Sequence, residues 1–266
     1  QREPKAFHKA VADGIIEPFS QLIKRLGLWI LPVAALVALY RLPDFTMGVM
    51  ASPLYADLGY SKVVVGGFQS GVGPWLLIAG AFLGGLCVAW VGTIRTLLIG
   101  APLTLFTTAA YAGLALLGTP DMADAIRDAN GGELVGVEPP PNIYLILAIG
   151  ADNIAGGFVG TAFIAYLSNL TDPKNAATQY ACLSSLYAFF CKFIAGFSGS
   201  IANMIGYSGL FLLSASYAIP AALLIAFIIW YGTKAAKGET KFDQEDPDPL
   251  IDSEPASQPP ARPSST

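Results

Sequence analysis

Long apolar stretches alternate with short polar breaks along this chain. A helix that rises 1.5 Å per residue needs about 20 mainly apolar residues to cross the roughly 30 Å hydrocarbon core of a bilayer. The pattern predicts six such helices, at residues 27–56, 64–91, 95–118, 142–170, 176–203 and 207–233. It therefore predicts an all-α membrane protein, a six-transmembrane-helix bundle within residues 27–233.

Three segments lie outside the predicted spans. Residues 1–26 carry apolar side chains at intervals of three and four among charges, which is typical of an amphipathic linker helix on the membrane surface. Residues 119–141 are acidic and rich in Pro and Gly, which predicts an external loop with at most one short helix and favours a solvated spacer over a binding lid. Residues 234–266 are rich in Asp, Glu, Pro and Ser, which predicts a disordered tail.

Composition and charge support a membrane location. Of the 266 residues, 54% are hydrophobic and 13% are charged, against about 25% charged in ordinary soluble chains. Lys and Arg collect on the side that carries residues 1–26, Arg95, Lys174, Lys234 and Lys237, so the positive-inside rule predicts that both termini are cytoplasmic. The net charge of -4 arises mainly from the loop and the tail, which argues against a nucleic-acid partner.

The sequence predicts neither a metal site nor a cofactor. Cys87, Cys182 and Cys191 all lie in apolar stretches without the C-x-x-C spacing of a zinc site, and we expect them to be buried small hydrophobic residues. The one histidine, His8, lies outside the predicted spans, so no cluster of histidines is available to bind a metal.

Four ionisable residues fall within the predicted spans: Arg41, Asp44, Asp152 and Lys192. Each costs about 2.5 to 3.5 kcal/mol at the centre of a membrane helix, so we expect all four to face the bundle interior, at a similar depth. One interpretation is a buried ion-pair network that only fixes helix register. The sequence favours the other, a cavity in which cations hold an anionic substrate and a carboxylate exchanges a proton.

Glycines recur at the four-residue spacing that lets membrane helices approach closely. The three pairs are Gly67 with Gly71, Gly80 with Gly84, and Gly156 with Gly160. Prolines inside the spans add kinks, which are common where a transporter moves. We therefore predict that these glycines mark helix-packing contacts.

Three blocks of sequence resemble one known family. "ALYRLPDFTMGVMASPLYADLGYSK" (38–62) resembles the seventh helix of the AmpG-type muropeptide permeases, a branch of the major facilitator superfamily related to acetyl-coenzyme A transporters. "GGLCVAWVGTIRTLLIG" (84–100) is similar to that family's junction between the eighth and ninth helices. "ADNIAGGFVGTAFIAYLSNLTDPKNAATQYACLSSLYAFF" (151–190) resembles its tenth and eleventh helices.

The resemblance implies a proton-coupled importer of anhydro-muropeptides, which are anionic sugar-peptides, in the bacterial inner membrane. By match to the family pattern, the cavity of the second half would be lined by Arg41, Asp44, Asp152, Asn153, Thr161 and Lys192. The superfamily has two six-helix halves and this chain supplies one, so we expect the first half to be missing. A half-size protein that pairs with another chain is the minority alternative.

Other functions remain open at the level of sequence. A transporter of another anionic solute, such as a coenzyme A ester, would suit the same cations. An intramembrane enzyme acting on a lipid-linked sugar would need clustered carboxylates for a metal at a membrane boundary, and the short loop "TDPKNA" (171–176) offers only Asp172. We therefore predict that the chain is not an enzyme. A non-transporting membrane subunit is the third alternative.

Overall fold

The computed structural model describes residues 20, 24, 30–132, 134 and 136–245, and the described chain is helical without strands. The helices are α1 (Ile30–Asp57), α2 (Lys62–Gly67), α3 (Gly73–Val91), α4 (Thr93–Leu116), α5 (Ala123–Ala129), α6 (Asn142–Leu170), α7 (Ala176–Ala195), α8 (Ser198–Ser216) and α9 (Ala218–Glu245). A π-helical turn, Phe68–Val72, lies between α2 and α3. The prediction of an all-α protein is confirmed.

Five helical segments of the described chain are long and apolar enough to cross a membrane. They are Leu31–Asp57, Lys62–Val91, Thr93–Leu116, Asn142–Leu170 and Ser198–Tyr231. Helix α7, which covers most of the predicted fifth span, is not among them, since polar residues such as Gln179 and Lys192 interrupt its apolar sequence. These segments make the chain a multi-pass membrane protein.

The last of these segments is interrupted at Gly206. Its φ of +76° and ψ of 169° take the backbone out of the helix, within the gap predicted between the fifth and sixth spans. A Cβ at this position would also lie 2.8 Å from Asp121 Oδ2. Glycine is needed here both for its positive φ and for the close approach of that carboxylate.

The predicted terminal segments fall largely outside the described residues. Only Ser20 and Lys24 of the predicted linker helix at 1–26 are described. Helix α9 continues to Glu245, so the predicted start of the tail at residue 234 falls inside a helix, and 246–266 lie beyond the described chain. The chain divides into a compact unit that ends at Phe227 and a second unit, 228–266.

The main core of the first unit lies between α1, α4, α6 and α8. Each helix supplies a large side chain that is almost completely buried, namely Leu54 of α1, Tyr111 of α4, Leu145 of α6 and Phe211 of α8, and Leu58 directly after α1 joins them. These residues lie toward the ends of α1, α4 and α6 that adjoin loop 119–141. The core therefore anchors this end of the bundle.

Loop 119–141 is attached to this end, although the sequence favoured a solvated spacer. Arg127 of α5 pairs with Asp57 at the end of α1 (2.7 Å) and with Asp124 in its own helix (3.2 Å). The hydrogen bond to Asp57 is the main cause that raises the pKa of Arg127. Tyr207 donates its hydroxyl to Asp57 (2.5 Å) and its backbone N–H to Asp121 (2.8 Å). The loop thus joins α1 to α8.

Helices α3 and α6 cross in backbone contact. A Cβ at Gly84 of α3 would lie 2.6 Å from the Phe158 carbonyl oxygen of α6, and one at Gly80 would overlap the Ile154 carbonyl. From the other side, a Cβ at Gly157 of α6 would overlap the backbone of α3. Only glycine at these positions allows the two helices to approach so closely.

The predicted glycine pairs contribute unequally to this crossing. Gly80 and Gly84 lie at the contact, whereas a Cβ at Gly156 would meet only a side-chain atom at 3.9 Å. A Cβ at Gly67, Gly71 or Gly160 would meet nothing within 4 Å among the described residues. Gly157 of α6 lies at the crossing instead, although it belongs to none of the pairs predicted from the four-residue spacing.

Candidate functional site

Arg41 and Asp44 form an ion pair within α1. They lie three residues apart on one helical face, and Arg41 Nη1 lies 2.5 Å from Asp44 Oδ2, with both side chains about one-quarter exposed. The guanidinium also lies over the Phe163 ring of α6, 5.6 Å from its centroid, at a distance suited to a cation–π interaction. Arg41 Nε is buried and has no hydrogen-bond partner in the described chain. Arg41 therefore keeps donors for a further, anionic partner.

Asp152 of α6 lies within electrostatic reach of Asp44, about 16 Å along the helix from the Phe163 ring that Arg41 contacts. Its half-buried side chain makes no hydrogen bond or ion pair with a described residue, and it lies close enough to Asp44 for the two carboxylates to repel each other. It also interacts electrostatically with Tyr55 and Tyr111. The structure thus brings together three of the four predicted charges, two carboxylates and one cation, and binding one proton would balance their charge.

Asn153 and Thr161 lie at different levels of α6. The Asn153 amide donates to the Ile149 carbonyl (2.8 Å) and borders the π-helical turn, since a Cβ at Gly73 would lie 3.5 Å from it. Thr161 follows Asp152 by nine residues, about 13 Å along the helix. Its methyl group lies at the crossing with α3, 3.9 Å from a Cβ built at Gly85. Asn153 therefore adjoins Asp152, whereas Thr161 lies at the helix crossing, two residues before the Phe163 that Arg41 contacts.

Lys192 does not join the charged site in the described chain. Helix α7 packs against α1 through buried Cys191, whose thiol lies 3.5 Å from the Ala38 carbonyl. The next residue after Cys191 is rotated by about 100° around the helix, so Lys192 is exposed and forms no ion pair with a described residue. Its cavity-lining position stays a prediction, because exposure in this chain alone does not test it.

The cysteines also differ from one another in burial. Cys191 is buried as expected, whereas Cys87 and Cys182 are only partly buried, so the expectation of buried cysteines is wrong for these two. The wrong expectation arose because an apolar stretch in a membrane protein has an outward face as well as a packed one. Hydropathy does not distinguish these faces, and only helix packing decides which one a residue occupies.

Sequence reasoning missed an uncharged polar group beside Asp152. The hydroxyls of Tyr55 and Tyr111 lie 2.9 Å apart, and the Gln69 side chain lies next to Tyr55. Gln69 belongs to the π-helical turn, a feature that is often found at functional sites. The signal available in the sequence was the polar pair of Gln69 and Ser70 inside an apolar stretch.

Buried charges between membrane-spanning helices define a multi-pass α-helical membrane protein with a charged interior, the class that includes secondary transporters. The chain is 28% identical over 214 residues to a Rickettsia conorii protein named transporter AmpG 4, a match that covers 80% of this chain and 46% of the relative. It is 26% identical over 219 residues to the anhydromuropeptide permease of Escherichia coli, covering 82% of this chain and 40% of the relative.

These relatives confirm the predicted resemblance to AmpG-type permeases. A third, named transporter AmpG 1 in Rickettsia prowazekii, is 26% identical over 200 residues, which cover 75% of this chain and 40% of the relative. The chain therefore spans less than half the length of each of these relatives. No protein-family model matches the chain. The names describe transporters and a permease, in agreement with the prediction of a non-enzyme.

Proposed function

We propose that this chain forms the second half of a proton-coupled transporter of the major facilitator superfamily, which imports anhydro-muropeptides across the bacterial inner membrane. The observation that carries the proposal is the Arg41–Asp44 pair beside the unpaired carboxylate of Asp152, in a chain similar to a permease. The length of the relatives supports the proposal that a first six-helix half completes the cavity.

Arg41 is the proposed binding group for an anionic part of the substrate. Only its Nη1 has a hydrogen-bond partner in the described chain, so the other guanidinium N–H groups can bind a carboxylate. Asp44 fixes the orientation of the guanidinium. Asn153 and Gln69 add amide groups that suit the hydroxyls of a sugar.

Asp152 is the proposed proton carrier. It has no cationic partner among the described residues, whereas Asp44 pairs with Arg41. Binding a proton at Asp152 would remove its repulsion with Asp44 and admit an anionic substrate beside Arg41. Release of the proton on the cytoplasmic side would restore the repulsion and favour release of the substrate.

Uptake of labelled anhydro-muropeptide tests the proposed function. Cells that express the full-length gene should accumulate the label above an empty-vector control, and a proton uncoupler should abolish the accumulation. Uptake equal to that of the control would contradict the proposal. Uptake that an excess of a coenzyme A ester suppresses would favour the alternative, a transporter of other anionic solutes.

The proposed orientation places both termini in the cytoplasm and loop 119–141 outside. Asn130 is exposed in this loop, so in a background with Cys87, Cys182 and Cys191 replaced by Ser, Asn130→Cys should react with an impermeant thiol reagent added to intact cells. Ser253→Cys is the matched control and should react only after permeabilisation. The reverse labelling pattern would overturn the orientation.

The Arg41–Asp44 pair predicts non-additive effects of substitution. Arg41→Ala leaves the Asp44 carboxylate without its partner in a low-dielectric setting, and breaking a buried pair in this way costs about 3 to 5 kcal/mol. Removing both charges should cost less, so the amount of folded protein should be higher for Arg41→Ala with Asp44→Asn than for Arg41→Ala alone. Quantitative fluorescence-detected gel filtration of Arg41→Ala, Asp44→Asn and the double variant measures the amount of folded protein. Additive losses of folded protein would argue against coupling of the two residues.

A further inference from the structure

A recess with both polar and apolar walls lies between the end of α1 and the start of the next span, at the end of the bundle that carries loop 119–141. Its volume is about 250 Å³. Its polar lining consists of Ser52, Tyr55, Tyr60, Lys62 and Gln69. Pockets that enclose a whole drug-sized ligand usually measure roughly 300 to 1,000 Å³. This recess is therefore sized for one end of a larger solute.

Tyr60 offers an unused hydrogen-bond donor in this recess. The residue is only 6% exposed, and its hydroxyl is buried without a hydrogen-bond partner in the described part of the chain. Burial raises the pKa of the phenol, so the hydroxyl stays protonated at neutral pH. Buried polar groups are nearly always satisfied in folded proteins, and a ligand in the recess would satisfy this one once a small side-chain movement uncovers the hydroxyl.

Lys62 gives the recess a positive charge. Its side chain is exposed and forms no ion pair with a described residue, since the ion pairs of the described chain use Arg41 and Arg127. An uncompensated ammonium beside a free phenolic donor suits an anionic group that accepts several hydrogen bonds. A carboxylate is such a group.

The recess adjoins the buried charged site. Tyr55 lines the recess and also forms a hydrogen bond with Tyr111, and both phenols interact electrostatically with Asp152. Gln69, in the π-helical turn, also lines the recess and lies next to Tyr55. A solute held in the recess therefore lies next to the polar group that leads to Asp152.

We propose that this recess is an external docking subsite for the anionic end of the transported solute, with Lys62 binding a carboxylate and Tyr60 donating a hydrogen bond to it. The inference rests on the proposed transport function and adds a subsite separate from Arg41. The phosphate of an anionic lipid headgroup offers the same chemistry. The experiment below distinguishes a carboxylate of the solute from the phosphate of a lipid headgroup.

The test uses the full-length protein reconstituted into vesicles of phosphatidylcholine, with initial rates of radiolabelled anhydro-muropeptide uptake as the measurement. Loss of a charged hydrogen-bond partner predicts that Lys62→Gln raises KM about tenfold and leaves kcat near the wild-type value. Tyr60→Phe, which removes a neutral partner, should raise KM about threefold. Lys62→Arg keeps the charge and should restore most of the affinity.

Lys174→Gln is the matched control. Lys174 is also an exposed lysine in a loop, but it lies after α6, at the opposite end of the bundle. The KM of this variant should therefore equal that of the wild type. If the KM of Lys62→Gln equals that of the wild type, the docking subsite alone is refuted. If the wild-type protein shows no uptake, the proposed function is refuted as well. The series is repeated in vesicles that contain phosphatidylglycerol. A Lys62→Gln effect confined to these vesicles would assign the recess to a lipid headgroup and overturn the docking subsite.

Discussion

Asp152→Asn is expected to abolish uphill uptake while substrate exchange across the membrane continues. Coupling needs a carboxylate that is charged in one access state and neutral in the other, and Asp152 is the membrane-depth carboxylate without a cationic partner in the described chain. One charge moved through 100 mV is worth about 2.3 kcal/mol, so one proton supports accumulation well over tenfold. The variant should reduce this accumulation ratio to about one.

The measurement pairs two assays on the full-length protein. Energised vesicles report net uptake, and vesicles preloaded with unlabelled substrate report counterflow exchange, which needs no net proton movement. Asp172→Asn, at a partly buried residue in the loop after α6, is the control and should retain both activities, because Asn keeps the side-chain oxygen that accepts from the Lys174 N–H. Uptake by Asp152→Asn that still followed the pH gradient would refute the proton-carrier role. Loss of exchange as well would make Asp152 a substrate ligand.

Gly157→Ala is expected to destabilise the bundle strongly. The added Cβ would overlap the Leu77 carbonyl and lie 2.7 Å from the Ala81 amide nitrogen. Because both contacts are backbone atoms of α3, no side-chain rotation can relieve them, and the two helices must separate. Overpacking of this kind costs about 1 to 3 kcal/mol, and a backbone clash should place the effect at the upper end. The thermal unfolding midpoint of the purified protein in detergent measures the loss.

Gly160→Ala provides the control within the same helix. A Cβ there would meet nothing within 4 Å among the described residues, and Ala favours a helix over Gly by about 1 kcal/mol in peptides. Its unfolding midpoint should equal or slightly exceed that of the wild type. Equal midpoints for Gly157→Ala and Gly160→Ala would mean that α3 and α6 do not cross as described.

The candidate site could be predicted only in part. Arg41, Asp44 and Asp152 were predictable because an ionisable residue in an apolar stretch is costly unless it finds polar surroundings. The same argument does not decide where Lys192 lies, since it counts the cost of a charge without fixing the rotation of α7 around its axis. The Tyr55–Tyr111 contact was not predictable, because it joins residues 56 positions apart on different helices.

The sequence by itself determined the all-α class and the location in a membrane. These properties depend on the length and apolar content of each segment, and both are local along the chain. The resemblance to AmpG-type permeases also depended on local blocks of sequence, and the relatives confirm that resemblance. Gly206 also falls in the predicted gap between spans, since a glycine between two apolar stretches is a local signal for a turn.

Only the tertiary structure decided which faces of these helices meet. Gly157, rather than the predicted Gly160, lies at the crossing of α3 and α6, because the register between two helices depends on how all their side chains pack. The attachment of loop 119–141 through Arg127 and Asp57 likewise needs the end of α1 to lie beside α5. Such contacts join residues far apart in the chain, so a periodicity read along one helix does not contain them.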